Sequence, residues 1–116
     1  MVEYYVWVRT PADMKAFLAH LLFYIETYPD YEDESQDSEY RRLALLIHNR
    51  DYRPQIFKLE TVYGVLVIDH IFEEDIENET LAYQSNFKDW KSKQIDMNET
   101  WKAIDKETEK WRRKNV

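Results

Sequence analysis

A single glycine, Gly64, serves all 116 residues, and this scarcity limits the available folds more than any other feature. Loops that cradle phosphate need glycine for positive φ and for close approach of the backbone to the ligand. The chain therefore holds neither a P-loop nor a dinucleotide-binding fingerprint, and nucleotide chemistry of those kinds is excluded. Around the same residue the sequence predicts a β-hairpin. Gln55 to Val62 and Val65 to Phe72 are rich in β-branched and apolar residues, and the turn falls at Tyr63-Gly64.

The remaining elements follow from periodicity and punctuation. Val2 to Arg9 is β-branched and aromatic, which favours a strand. Thr10-Pro11-Ala12-Asp13 then opens a helix, with Thr10 as N-cap, Pro11 at the first helical position and Asp13 at the positive end of the dipole. Met14, Phe17, Leu18, Leu21, Ile25 and Tyr28 recur at helical spacing until Pro29 stops the pattern. The segment 39–49 fits a strand or a helix, and its Leu, Ala, Arg and Glu content favours the helix. Towards the C-terminus, Phe87, Trp90, Gln94, Met97, Trp101, Ile104, Thr108 and Trp111 alternate three and four apart, the rhythm of a heptad seam. One helix over 85–114 is expected, capped by Asn86 and Asp89, with a break near 96–98 if Asp96 or Asn98 caps a second helix. The expected architecture is one α+β domain over 1–116. A small antiparallel sheet, made of the N-terminal strand and the hairpin, packs with two helices and a long C-terminal helix.

Several function classes drop out. Cysteine is absent, which removes thiolate catalysis, disulfide frameworks and Cys-based zinc sites. The three histidines are too scattered for a zinc or triad arrangement, and Asp69 and His70 on a strand would point to opposite faces. Asp33, Ser35, Asp37 and Glu39 alternate like the first ligands of an EF-hand, but Ser38 stands at the glycine position and Ala44 at the bidentate one. No catalytic residue, metal or cofactor is expected, and a metal-dependent enzyme is the most distant reading. The opening Met-Val-Glu-Tyr-Tyr lacks a basic head and apolar run, and the longest apolar stretch is too short for a span. A cytoplasmic chain with no membrane contact is expected.

The net charge of -7 is segregated. Glu26, Asp30, Glu32, Asp33, Glu34, Asp37 and Glu39 form one acidic run, and Asp69, Glu73, Glu74, Asp75, Glu77 and Glu79 form another. Together they hold 13 of the 23 acidic residues, which leaves the rest of the chain net positive by six. Such a distribution steers partners of opposite sign. Tyr28 and Tyr31 punctuate the first run, and rigid amphipathic rings beside carboxylates suit the recognition of Arg and Lys. The expected function is non-catalytic binding of a basic, nucleic-acid-handling protein, as by an inhibitor or adaptor of phage or mobile-element type whose carboxylates stand in for phosphates. The recognition residues would be Tyr28, Asp30, Tyr31, Glu32, Asp33, Glu34, Asp37, Glu73, Glu74, Asp75 and Glu77.

A DNA-binding regulator is the alternative. Strand, helix, helix, hairpin is the order of a winged-helix core, in which Arg41, Arg42, Arg50, Arg53 and Lys58 would face the duplex. The long acidic connection between the helices would repel phosphate, so direct contact with nucleic acid is not expected. The stripe formed by Phe87, Trp90, Met97, Trp101, Ile104 and Trp111 must bury itself somewhere. It can do so in its own domain or against a second copy, and a homodimer through the C-terminal helix is the favoured expectation.

Overall fold

The computed structural model describes residues 2–28 and 53–114. The chain groups into two compact units: Met1–Val8 together with Arg53–Val116, and Arg9–Tyr52.

The first unit is built on three strands, β1 (Glu3–Val8), β2 (Gln55–Val62) and β3 (Val65–Phe72), in the antiparallel order β1-β2-β3. The register sets Tyr5 opposite Lys58 and Trp7 opposite Ile56, and Ile56 in turn opposite Ile71. Alternation then divides the sheet into two faces. Tyr5, Trp7, Ile56 and Ile71 share one. Tyr4, Val6, Val8, Phe57, Leu59 and Leu66 share the other, where all but Tyr4 are buried. Both faces bury apolar residues here, which is why the adjacent Ile56 and Phe57 of β2 are both enclosed.

Helix α2 (Leu81–Lys93) covers the first face. Phe87 and Trp90 join Tyr5, Ile56 and Ile71 in one buried cluster, against which Trp7, Ile76 and Tyr83 also pack. Tyr5 and Trp90 lie tilted with ring centroids 5.7 Å apart, and Trp7 meets Phe87 edge-on at 6.2 Å. These geometries suit the ring quadrupoles. Lys91 adds a cation 4.6 Å above the Trp7 ring.

Helix α3 (Met97–Lys114) touches β1 and β2 and reaches Tyr4, whose hydroxyl donates to Glu107 Oε2 at 3.5 Å. Because Tyr4 alternates with Tyr5, this contact lies on the face opposite α2. Thr100, Trp101, Ile104 and Thr108 are its buried residues.

The stretch expected as one helix over 85–114, with a break allowed near 96–98, is two helices separated at 94–96. The first starts earlier than the sequence suggested, because Thr80 and not Asn86 is its N-cap and accepts from Tyr83 N at 3.2 Å. It ends at Lys93, and Gln94 takes an extended conformation. Asp96 then caps the second, its carboxylate accepting from the backbone of Asn98 and Glu99 at 2.9 and 3.2 Å. The break sends the two halves of the aromatic stripe to different places, so the heptad seam is not one surface.

In the second unit the described residues form helix α1 (Pro11–Thr27) and its flanks. The capping box is complete: Asp13 N donates to Thr10 Oγ1 at 3.1 Å, and the Asp13 carboxylate accepts from Thr10 N at 3.2 Å. Met14, Phe17, Leu18, Leu21 and Tyr24 are buried, while Phe23 is exposed. His20 is half-buried. The segment 39–49 lies outside the described residues. Among the described residues, no helix is long and apolar enough to cross a membrane.

Candidate functional site

From Glu73 on, the second acidic run follows a 3-10 helix, Glu73–Asn78, that leaves the end of β3 and is closed by Glu79, whereas Asp69 lies within β3. A run of like charges is usually a solvated loop, but here the backbone is fixed at several points. Glu73 N donates to Pro54 O at 2.9 Å, tying the start of the segment to the chain entering β2. The Gln84 amide on α2 donates to Ile76 O at 2.7 Å and to Glu79 O at 3.3 Å. Between these ties the Ile76 side chain packs on the aromatic cluster. Tyr83 completes the corner, accepting from Phe72 N at 3.0 Å, and burial raises its phenol above the usual tyrosine range.

Five carboxylates are thus held on an ordered support. Glu74 is paired with Arg53. Glu73, Asp75, Glu77 and Glu79 make no ion pair among the described residues, and Glu77 and Glu79 are exposed. The arrangement can present negative charge to a basic surface without first ordering a loop, which lowers the cost of association. Among the described residues, no group of three or more His, Asp or Glu is placed to hold a metal ion.

The other expected recognition residues divide. Asp30, Tyr31, Glu32, Asp33, Glu34 and Asp37 lie outside the described residues. Tyr28 does not belong to a surface: it is buried at the end of α1, its ring 5.1 Å from that of Tyr24 one turn earlier. The i,i+4 spacing that made it look like a stripe residue is what encloses it.

Of the basic residues in the DNA-binding alternative, Arg41, Arg42 and Arg50 lie outside the described residues. Arg53 and Lys58 are both engaged within the fold. The Arg53 guanidinium sits 3.8 Å from the Phe72 ring centroid and pairs with Glu74. The Lys58 ammonium lies 5.6 Å above the Trp90 ring and 3.8 Å from Glu3 Oε1. His70 is a neighbour of Phe72 and Phe57, with ring centroids at 4.7 and 6.3 Å.

The stripe residues also part company. Phe87, Trp90, Trp101 and Ile104 are buried within a single chain, and Met97 is half-buried. Trp111, expected in the same seam, is 38% exposed and lies instead over the hairpin turn. A Cβ added to Gly64 would come within 2.7 Å of its Cε3 atom. The lone glycine is therefore required twice, for its positive φ of 74° and for the ring that rests on it. The neighbouring residue, Tyr63, was passed over in the sequence as part of a turn. It is 79% exposed at a φ of 52°. Only its aromatic type, at a place where the turn asks for Asn or Gly, could have flagged it.

Comparison with family models, curated proteins and solved structures finds no match.

Proposed function

We propose that the chain is a non-catalytic binding module that engages a basic, nucleic-acid-handling protein through its carboxylates, as an inhibitor or adaptor of mobile-element type. The observation that carries this reading is the anchored acidic segment. Glu73, Asp75, Glu77 and Glu79 stand on a backbone tied to Pro54 and Gln84 and wedged by Ile76. Carboxylates on a fixed support can match the guanidinium and ammonium groups of a surface that normally holds phosphate. The first acidic run, 30–37, supplies further charge of the same sign in the sequence. A cysteine-free chain suits a reducing compartment such as the cytoplasm. A second copy is not needed to cover Trp101, so a homodimer would have to be held by other surfaces.

The test is affinity capture from a lysate of the source organism with two baits, the wild-type chain and Glu73→Lys/Asp75→Lys/Glu77→Lys. The wild type should retain a basic protein at low salt and release it as salt rises through the physiological range. The reversed bait, folded by circular dichroism, should fail to retain it, chiefly through slower association. Equal capture by both baits, or capture indifferent to salt, would remove the acidic mechanism.

A further inference from the structure

We propose that the tip of the β2–β3 hairpin, together with the last turns of α3, forms a binding site for single-stranded nucleic acid. A groove of 390 Å³ opens there, lined by Tyr63, Gly64, Glu107, Lys110, Trp111 and Lys114 among others. That volume falls in the range of small-ligand sites, roughly 300–1,000 Å³.

Tyr63 carries the argument. A bulky residue at positive φ is strained, by about 1–3 kcal/mol for such a conformation. Asn would relieve much of that strain, since Asn-Gly is a preferred sequence for a two-residue turn with positive φ at both positions. Tyr63 does not recover the cost by burial, because 79% of it faces solvent. Its one ring neighbour among the described residues is Trp111, which it meets at a steep angle with centroids 6.4 Å apart. At that exposure the Tyr63 ring keeps surface available for stacking. A base can lie against this ring, and the groove continues onto Trp111.

The cations supply the other half of the ligand. From Lys106 to Lys114 the helix carries five basic residues and two acidic ones. Glu109 pairs with Arg113, while Glu107 lines the groove and accepts from the Tyr4 hydroxyl, one carboxylate against the two lysines there. Arg112 donates to Gly64 O at 3.4 Å and so ties the helix to the turn. Lys110 and Lys114, one turn apart, line the groove and make no ion pair among the described residues. Lysine is a compact point charge on a flexible stem that suits phosphates at variable positions. An exposed ring beside such cations is a recurring element of single-strand recognition, and a stacked duplex offers no free base face. The sequence argues against nucleic acid from the repulsion of phosphate by its acidic runs; the local charge at this groove is of the other sign.

The test uses the full chain and a short fluorescein-labelled oligo(dT), with oligo(U), a duplex of equal length and polyglutamate as comparison probes, read by anisotropy. Two phosphate contacts predict a log–log salt slope of about -1.4, or roughly sevenfold weaker binding between 50 and 200 mM. Tyr63→Asn should weaken oligo(dT) binding about tenfold or more while the melting temperature holds or rises. Lys110→Gln/Lys114→Gln should flatten the salt slope. Four outcomes overturn the proposal: no strand binding at 50 mM salt, wild-type affinity in Tyr63→Asn, duplex or polyglutamate bound as tightly as the strand, or a lowered melting temperature in Tyr63→Asn. The last would make the ring a brace for the turn.

Discussion

The two ends of the β2–β3 hairpin carry opposite chemistry and are held in place by different means. At the open end, where β2 begins and β3 finishes, a 3-10 helix presents carboxylates and is fastened through its backbone to Pro54 and Gln84. At the closed end, lysines and two exposed rings surround a turn fastened by one glycine, one tryptophan and one arginine. Strands of eight residues separate the ends by roughly 26 Å. That span exceeds the Debye length of about 8 Å at physiological salt, so each end acts on its surroundings nearly alone. Net charge therefore misdescribes this molecule. A chain of charge -7 can offer a basic surface when a rigid ladder keeps the signs apart.

Substitutions can break both ends or either one. The largest effect is expected at Trp101, which supports α3 and hence the closed end. Trp101→Ala should cost about 3–5 kcal/mol, as for an enclosed aromatic. Because the enclosure lies within one chain, the melting temperature should not depend on protein concentration; a concentration dependence would show that a second copy contributes. Gly64→Ala comes next, at about 2–4 kcal/mol, since it adds strain at positive φ and pushes the Trp111 ring away. In denaturant titrations it should lower stability, and it should abolish strand binding while sparing capture of the basic protein. Gln84→Ala should do the reverse at about 1–2 kcal/mol, by freeing the Ile76 and Glu79 carbonyls. Amide exchange over 73–79 should quicken, and association with the basic partner should slow, with oligo(dT) affinity unchanged.

The parts of this structure that were legible in the sequence are those fixed by local chemistry. The N-cap of α1 needs only Thr10, and the hairpin needs only Gly64 between two apolar and β-branched runs, so both were legible; the return bond from Thr10 N to the Asp13 carboxylate was not. The C-terminal stripe was legible as buried residues but not as geometry. Three residues, Gln94 to Asp96, interrupt the helix without disturbing the three-and-four spacing, so the periodicity ran straight across a change of direction. Thr80 was missed as a cap because Leu81, the first helical residue, is exposed and belongs to no apolar stripe. The acidic run was visible, but its anchoring was not. That depends on a Gln84 side chain whose partners are carbonyls five and eight residues earlier. Tyr63 was read as turn filler because an alternation pattern cannot say whether a ring at a turn folds inward or stays in water.

Whether the two ends of the hairpin act independently can be decided by one titration. Oligo(dT) affinity would be measured at about 150 mM salt for the wild type, for Glu73→Lys/Asp75→Lys/Glu77→Lys and for Lys110→Glu/Lys114→Glu. The first variant raises the net charge by six at the open end, and the second lowers it by four at the closed end. The account predicts affinity within about twofold of wild type for the first, because the added charge is screened across the length of the hairpin, and loss of binding for the second. A large gain in affinity from the open-end reversal would contradict it, since total charge and not the surface at Tyr63 would then govern what this protein binds.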